Sequence, residues 1–185
     1  MDGLLDQNTL VMQQVSSMMS NDFEILDEQG QPVGLVNTTG SLASRMVRGS
    51  RSLVVTEVSG EPVLSVEDSL NFVRDTFELS DAQGQPLAHL RTRFAFFRTS
   101  VDMHLADGTV VEMSGNIRGF DFEFRLGDRV PARVSRQWSG LGKALLGRST
   151  YSVQFDPEAP RTVRAAIIGG VIALDLIRQK DKNNG

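Results

Sequence analysis

The side chains in this sequence that could do chemistry are few, and their spacing argues against catalysis. There is no cysteine, so thiolate nucleophiles, disulfides and Cys-ligated metals are excluded. The two histidines, His89 and His104, stand fifteen residues apart, and neither has a carboxylate at the spacing of a triad. A metal site ordinarily takes three or four ligands, so both read as surface or hydrogen-bonded strand residues. Asp27 and Asp81 occupy the same place in two copies of Asp-x-Gln-Gly-Gln-Pro. An Asp that opens a turn bonds its own backbone, a simpler role than a paired acid and base. Gly-x-Ser-x-Gly and P-loop patterns do not occur. The expectation is a protein that is not an enzyme, with no cofactor and no metal.

What remains is charge. Residues 1–124 hold 8 Lys/Arg against 18 Asp/Glu, and residues 125–185 hold 11 against 5. A net −10 is thus joined to a net +6 within an overall −4. A basic half attracts phosphates and anionic head groups; a run of solvated strand faces would give the same composition. The candidate lipid contact is Arg133, Arg136, Trp138, Lys143 and Arg148. There the one tryptophan stands among cations, and an amphipathic ring beside basic residues suits a membrane interface. Trp138 would equally serve to cap the end of a barrel. Phe94-Ala-Phe-Phe97, between Arg91, Arg93 and Arg98, has the look of a nucleic-acid platform. Alternating Arg and Phe is more simply a two-faced strand, so nucleic acid is not the expected partner.

These residues must be held by something, and the dominant pattern is repetition. Phe23–Val36 (FEILDEQGQPVGLV) and Phe77–Leu90 (FELSDAQGQPLAHL) are near copies, and Leu53–Glu67 is a looser one with Gly-Glu-Pro. Val101–Gly115 keeps the design with Asp-Gly, and Phe122–Val134 keeps it with Gly-Asp. Each is a period-2 segment, a Gly turn and a second period-2 segment, which is a β-hairpin. Five hairpins with Thr9–Val15 and Tyr151–Phe155 predict about twelve strands over residues 9–155. Gly40–Ser50, Val66–Phe72 and Ser139–Arg148 are the connections that could hold a turn of helix. No low-complexity linker divides the 185 residues, so residues 1–185 read as one domain.

Twelve strands with one apolar face must close to bury that face and remove their edges. Eight enclose only side chains and sixteen leave a channel, so twelve leave a bore to be filled. Thr162–Arg178 (TVRAAIIGGVIALDLIR) fits it. Val163, Ile167, Val171, Leu174 and Ile177 form one helical stripe, and Ile168 and Ile172 help to cover another. A helix apolar nearly all round is enclosed by protein or lipid. Seventeen residues span about 25 Å, short of the roughly 30 Å hydrocarbon core. Asp175 interrupts the run, at a cost near a bilayer centre of about 2.5–3.5 kcal/mol, and Arg178 is placed at i+3 to pair with it. The arithmetic favours a plug. The Gly169-Gly170 pair in its middle predicts close approach of the barrel wall. The fold class is mainly β, a twelve-stranded antiparallel closed barrel enclosing a hydrophobic C-terminal helix at about 162–178.

The order of hairpins, then Trp138-Ser139-Gly140, Tyr151–Phe155 and the terminal helix resemble the phospholipid scramblase family. They also resemble the related LURP-one family of Tubby C-terminal-like fold, over roughly residues 9–180. The resemblance implies the same barrel around a central helix, association with anionic phospholipids or a membrane surface, and in its most specific form phospholipid scrambling. Where scramblases carry an Asp-rich calcium segment this chain reads Leu146-Gly147-Arg148-Ser149-Thr150. A hard cation needs several oxygen ligands, so no calcium site is expected. The alternative is a soluble structural or protein-interaction domain with no lipid role and an unknown protein partner. MDGLLDQNTL is acidic and the first basic residue is Arg45, the opposite of a targeting segment. The expectation is a cytoplasmic protein, peripheral on the inner membrane face.

Overall fold

The computed structural model describes residues 3–14, 23–39, 51–69, 76–95, 98–117, 119–136 and 150–183. The first half of the wall is β1 (Thr9–Gln14), β2 (Phe23–Leu26), β3 (Pro32–Thr39), β4 (Arg51–Glu57), β5 (Pro62–Ser69) and β6 (Thr76–Asp81). The second half is β7 (Pro86–Ala95), β8 (Arg98–Leu105), β9 (Val110–Asn116), β10 (Asp121–Leu126), β11 (Arg129–Ser135) and β12 (Thr150–Phe155). Each strand pairs antiparallel with its chain neighbour and β1 pairs with β12, which closes the barrel. One α-helix, α1 (Arg161–Asn183), follows.

Alternation builds the wall. In β6 Phe77 and Leu79 are buried around the exposed Glu78, and in β10 Phe122 and Phe124 are buried beside the exposed Asp121. Pro32, Pro62 and Pro86 each begin a strand, where a missing N–H costs least. Opposite each of them the register shifts by one irregular step. The sequence repeat is therefore a repeat of geometry. Gly30 and Gly84 hold φ of 81° and 76°, the left-handed conformation that side chains avoid.

The core lies along the barrel axis. Val163, Ile167, Ile168, Val171, Ile172 and Leu174 of α1 are buried with Asp175, and Ile177 is half-buried. They pack with Leu53, Leu64, Phe77, Leu90, Met103 and Phe124 of the wall in one continuous cluster. A Cβ added at Gly169 would lie 2.9 Å from Leu79 Cδ1 and 3.0 Å from its Cδ2. The wall does approach the helix backbone there, as the glycine pair predicts.

Two expectations are adjusted. Val66–Ser69, placed in a possible helical turn, is the end of β5, because Leu64, Val66 and Asp68 keep the inward alternation. The helix continues past Arg178 to Asn183, since residues 179–182 (QKDK) include good helix formers and no Gly or Pro. The expected helical pieces at Gly40–Ser50 and Ser139–Arg148 lie outside the described residues.

Candidate functional site

An up-and-down barrel sorts its connections into two rims. At one rim lie the tight turns over 27–31, 57–61, 81–85, 105–109 and 126–129, with the link 156–160 into α1. At the other rim the strands end as Gln14 and Phe23, Thr39 and Arg51, Ser69 and Thr76, Ala95 and Arg98, Asn116 and Asp121, Ser135 and Thr150. We call these the turn rim and the far rim. α1 enters at the turn rim, where Arg161 pairs with Asp6, and runs toward the far rim.

The turn rim is acidic for a structural reason. Asp27 Oδ1 accepts hydrogen bonds from Gln29 N at 2.9 Å and Gln31 N at 2.8 Å. Asp81 Oδ1 accepts from Gln83 N at 2.9 Å and Gln85 N at 2.8 Å. These carboxylates stand in separate hairpins, each bound to its own backbone, which is the turn role read from the sequence. Asp107 repeats the arrangement with Thr109 N at 2.8 Å. That backbone bond, and then the Thr109 side chain, hold its carboxyl below the usual carboxylate range.

Of the five residues in the candidate lipid contact, Arg133 and Arg136 are placed, whereas Trp138, Lys143 and Arg148 lie outside the described residues. Arg133 points outward from β11, because Ala132 and Val134 on either side are buried. Its side chain is 67% exposed, with Nε 3.4 Å from Glu123 Oε2 on β10. Glu123 also meets Arg125 Nη1 at 3.4 Å, so the wall charge at Arg133 is shared with an anion. Arg136 is exposed just beyond β11 at the far rim. The two arginines therefore face different surroundings, one on the wall and one at the rim. Asp175 is buried on α1, and the side chain of its proposed partner Arg178 is outside the described residues.

The wall, the axial helix and the order of strands can be set against known proteins. The family model described as LURP-one-related matches residues 8–175. The chain belongs to the LURP-one-related family. The X-ray structure of a protein from Arabidopsis thaliana is similar with a TM-score of 0.59, covering 91% of each chain at 16% identity. At that identity the likeness shows the fold. No curated protein matches the chain at a significant level.

In this LURP-one-related barrel two features escape a reading of the sequence. The first is His89 and His104, which are register partners on β7 and β8. Their rings stack with centroids 4.8 Å apart and planes 8° apart. Both lie equally far from the 96–97 connection, which is the signal that pairs them. Among the described residues, no three His, Asp or Glu converge to hold a metal ion. The second is the base of α1. Arg164 is 4% exposed, and its guanidinium is held by oxygens, mostly of the backbone, from the segment before β1 and from the link into α1. Nη1 donates to Gln7 O at 2.8 Å, and Nη2 donates to Asn8 Oδ1 and Asp156 O, each at 3.0 Å. Nε donates to Ala159 O at 3.0 Å. Nothing in the spacing of Gln7, Asn8 and Arg164 marks this cluster, because all its partners but Asn8 Oδ1 are main-chain atoms.

Proposed function

We propose that this LURP-one-related chain is a non-enzymatic binding module that docks by its far rim on anionic phospholipid head groups. We further propose that it works as a cytoplasmic protein held peripherally on the inner membrane face. The observation that carries the reading is the division of charge between the rims. The turns and link of the turn rim hold Asp27, Glu28, Glu57, Glu61, Asp81, Asp107, Asp128, Asp156 and Glu158 against Arg129. The far rim holds Arg136, and the segments joining strand ends there contain Arg45, Arg48, Arg74, Arg118, Lys143 and Arg148 against Asp22 and Asp75. A molecule charged in this way orients in the field of an anionic surface, which is worth about 1 kcal/mol per Lys or Arg near it. The net −4 does not oppose docking, because repulsion from the turn rim is screened beyond a Debye length of about 8 Å.

The interior supports binding rather than conversion, since Ala166, Ile167, Ile168, Val171 and Ala173 fill the axis. No helix among the described residues is long and apolar enough to cross a membrane, which agrees with contact at the surface. Co-sedimentation with vesicles tests the reading. Binding to anionic but not neutral vesicles, weakening with salt, is expected; equally negligible binding to both at low salt would end it. Scrambling is the most specific form of the proposal and predicts faster transbilayer movement of a labelled lipid in proteoliposomes. A second reading, a soluble structural or protein-interaction domain with no lipid role, is favoured by the sharing of Arg133 with Glu123. A specific partner in pull-down, together with absence from the membrane fraction, would select it.

A further inference from the structure

The buried cation at the base of α1 poses a physical problem. A guanidinium taken out of water ordinarily faces a carboxylate, and a positive charge in the first helical turn opposes the helix dipole. Every partner of the Arg164 guanidinium given above is a neutral oxygen. They come from two segments, 5–8 and 156–159, that are far apart in sequence and adjacent in space. Leu5 O and Gln7 O, with Asn8 Oδ1, belong to the N-terminal segment. Asp156 O, Pro157 O and Ala159 O belong to the link into the helix. The Arg164 Cζ also lies 5.2 Å from the Phe155 ring centroid, within range of a cation–π contact.

The N-terminal segment is itself tied down. Leu4 N donates to both Glu57 carboxylate oxygens at 3.0 Å, and Leu4 is buried in the core cluster. The Leu4 methyls sit where a Cβ on Gly34 would approach within 3.2 Å and 3.3 Å, so the absence of a side chain at Gly34 makes its seat. Asn8 O accepts from Phe155 N at 2.8 Å. Residues 3–8 thus cross the barrel mouth through which α1 enters.

We propose that residues 3–8 are a strap that latches α1 inside the barrel, with Arg164 as its pin. The wall closes through its own strand pairing and does not need the strap, whereas the strap and the first turns of α1 are held by the same guanidinium. Loosening one therefore loosens the other while the wall stays shut. Arg164 acts as a positioning residue, and its planar fork is what reaches several oxygens at once; a lysine ammonium is a point donor. The inference does not depend on lipid binding.

Hydrogen exchange on the full chain, resolved by peptide, tests it. In Arg164→Gln, peptides covering 3–8 and 163–171 should exchange about tenfold faster or more, while peptides from β8 and β9 keep their rates. Arg164→Lys should resemble Arg164→Gln rather than the parent. Asn8→Asp places a carboxylate on the pin and should slow exchange in both peptides together; this variant keeps every bond of the parent, so the test survives if the arginine variants do not fold. Uniform acceleration of wall and helix, rescue by lysine, or an Asn8→Asp variant that leaves strap and helix unchanged would overturn the latch.

Discussion

Gly169 and Gly170 stand side by side on α1, yet a methyl group added to each meets different neighbours. At Gly169 it lies 2.9 Å from Leu79 Cδ1, and Leu79 is fully packed; at Gly170 it lies 3.4 Å from Met103 Sδ and from Met113 Cε. Alanine gains about 1 kcal/mol of helix propensity at either position. Overpacking costs about 1–3 kcal/mol where the neighbour cannot yield, whereas methionine adapts. Gly169→Ala should therefore destabilise by about 1 kcal/mol and Gly170→Ala should stabilise by somewhat less than about 1 kcal/mol, both read from urea unfolding. Asp27→Ala and Asp81→Ala each remove an acceptor of two backbone N–H groups. Each should cost about 1 kcal/mol, and in the double variant the losses should add, since separate hairpins share no partner. Asp107 has a lowered carboxyl pKa, so what it contributes is full above the unfolded carboxylate range and fades as pH falls through its lowered value. Asp107→Asn should flatten that part of the acid-side stability profile, measured by thermal melting across pH.

At the scale of elements, the hairpins were legible because each carries two agreeing signals, alternation and a turn glycine, and three of the five add a proline at the next strand's start. Pattern and turn chemistry pointed to one answer. The helix was legible because an apolar circumference has few places to go. What escaped the sequence depends on contacts with no local signature. The end of β5 reads as helix-compatible because Asp68 is a polar residue at an inward position. The pairing of His89 with His104 needs the register across 96–97. The strap of residues 3–8 carries only two apolar side chains, Leu4 and Leu5, too few for a period. Leu4→Ala tests how much that short element matters. A buried leucine whose seat collapses incompletely costs about 2–5 kcal/mol, far above the usual effect of a change in an exposed terminus. Equilibrium unfolding would measure it, and a change below about 0.5 kcal/mol would mean that Leu4 is not held as described.

For the whole molecule, acidic residues from both halves of the sequence gather at the turn rim through the hairpin turns and the link into α1, while Arg133 stands on the wall and Arg136 at the far rim. Arg133 and Arg136, three residues apart, should then behave differently at an anionic surface. Arg136→Glu reverses a charge at the far rim and should weaken vesicle binding about tenfold or more. Arg133→Glu, on the wall beside Glu123, should change it by about threefold or less. Equal effects in co-sedimentation would mean that the wall, and not the rim, meets the lipid. The position of α1 also bears on biosynthesis. All twelve strands precede it in the chain, so a ribosome completes the wall before it makes the core that the wall encloses. Until residues 161–177 emerge, the inward faces of β1–β12 have nothing to pack against, and nascent chains in this condition are prone to associate. A message truncated after the codon for Pro160 should yield aggregate rather than a smaller barrel, and the nascent LURP-one-related chain is a natural client for chaperones until α1 has emerged.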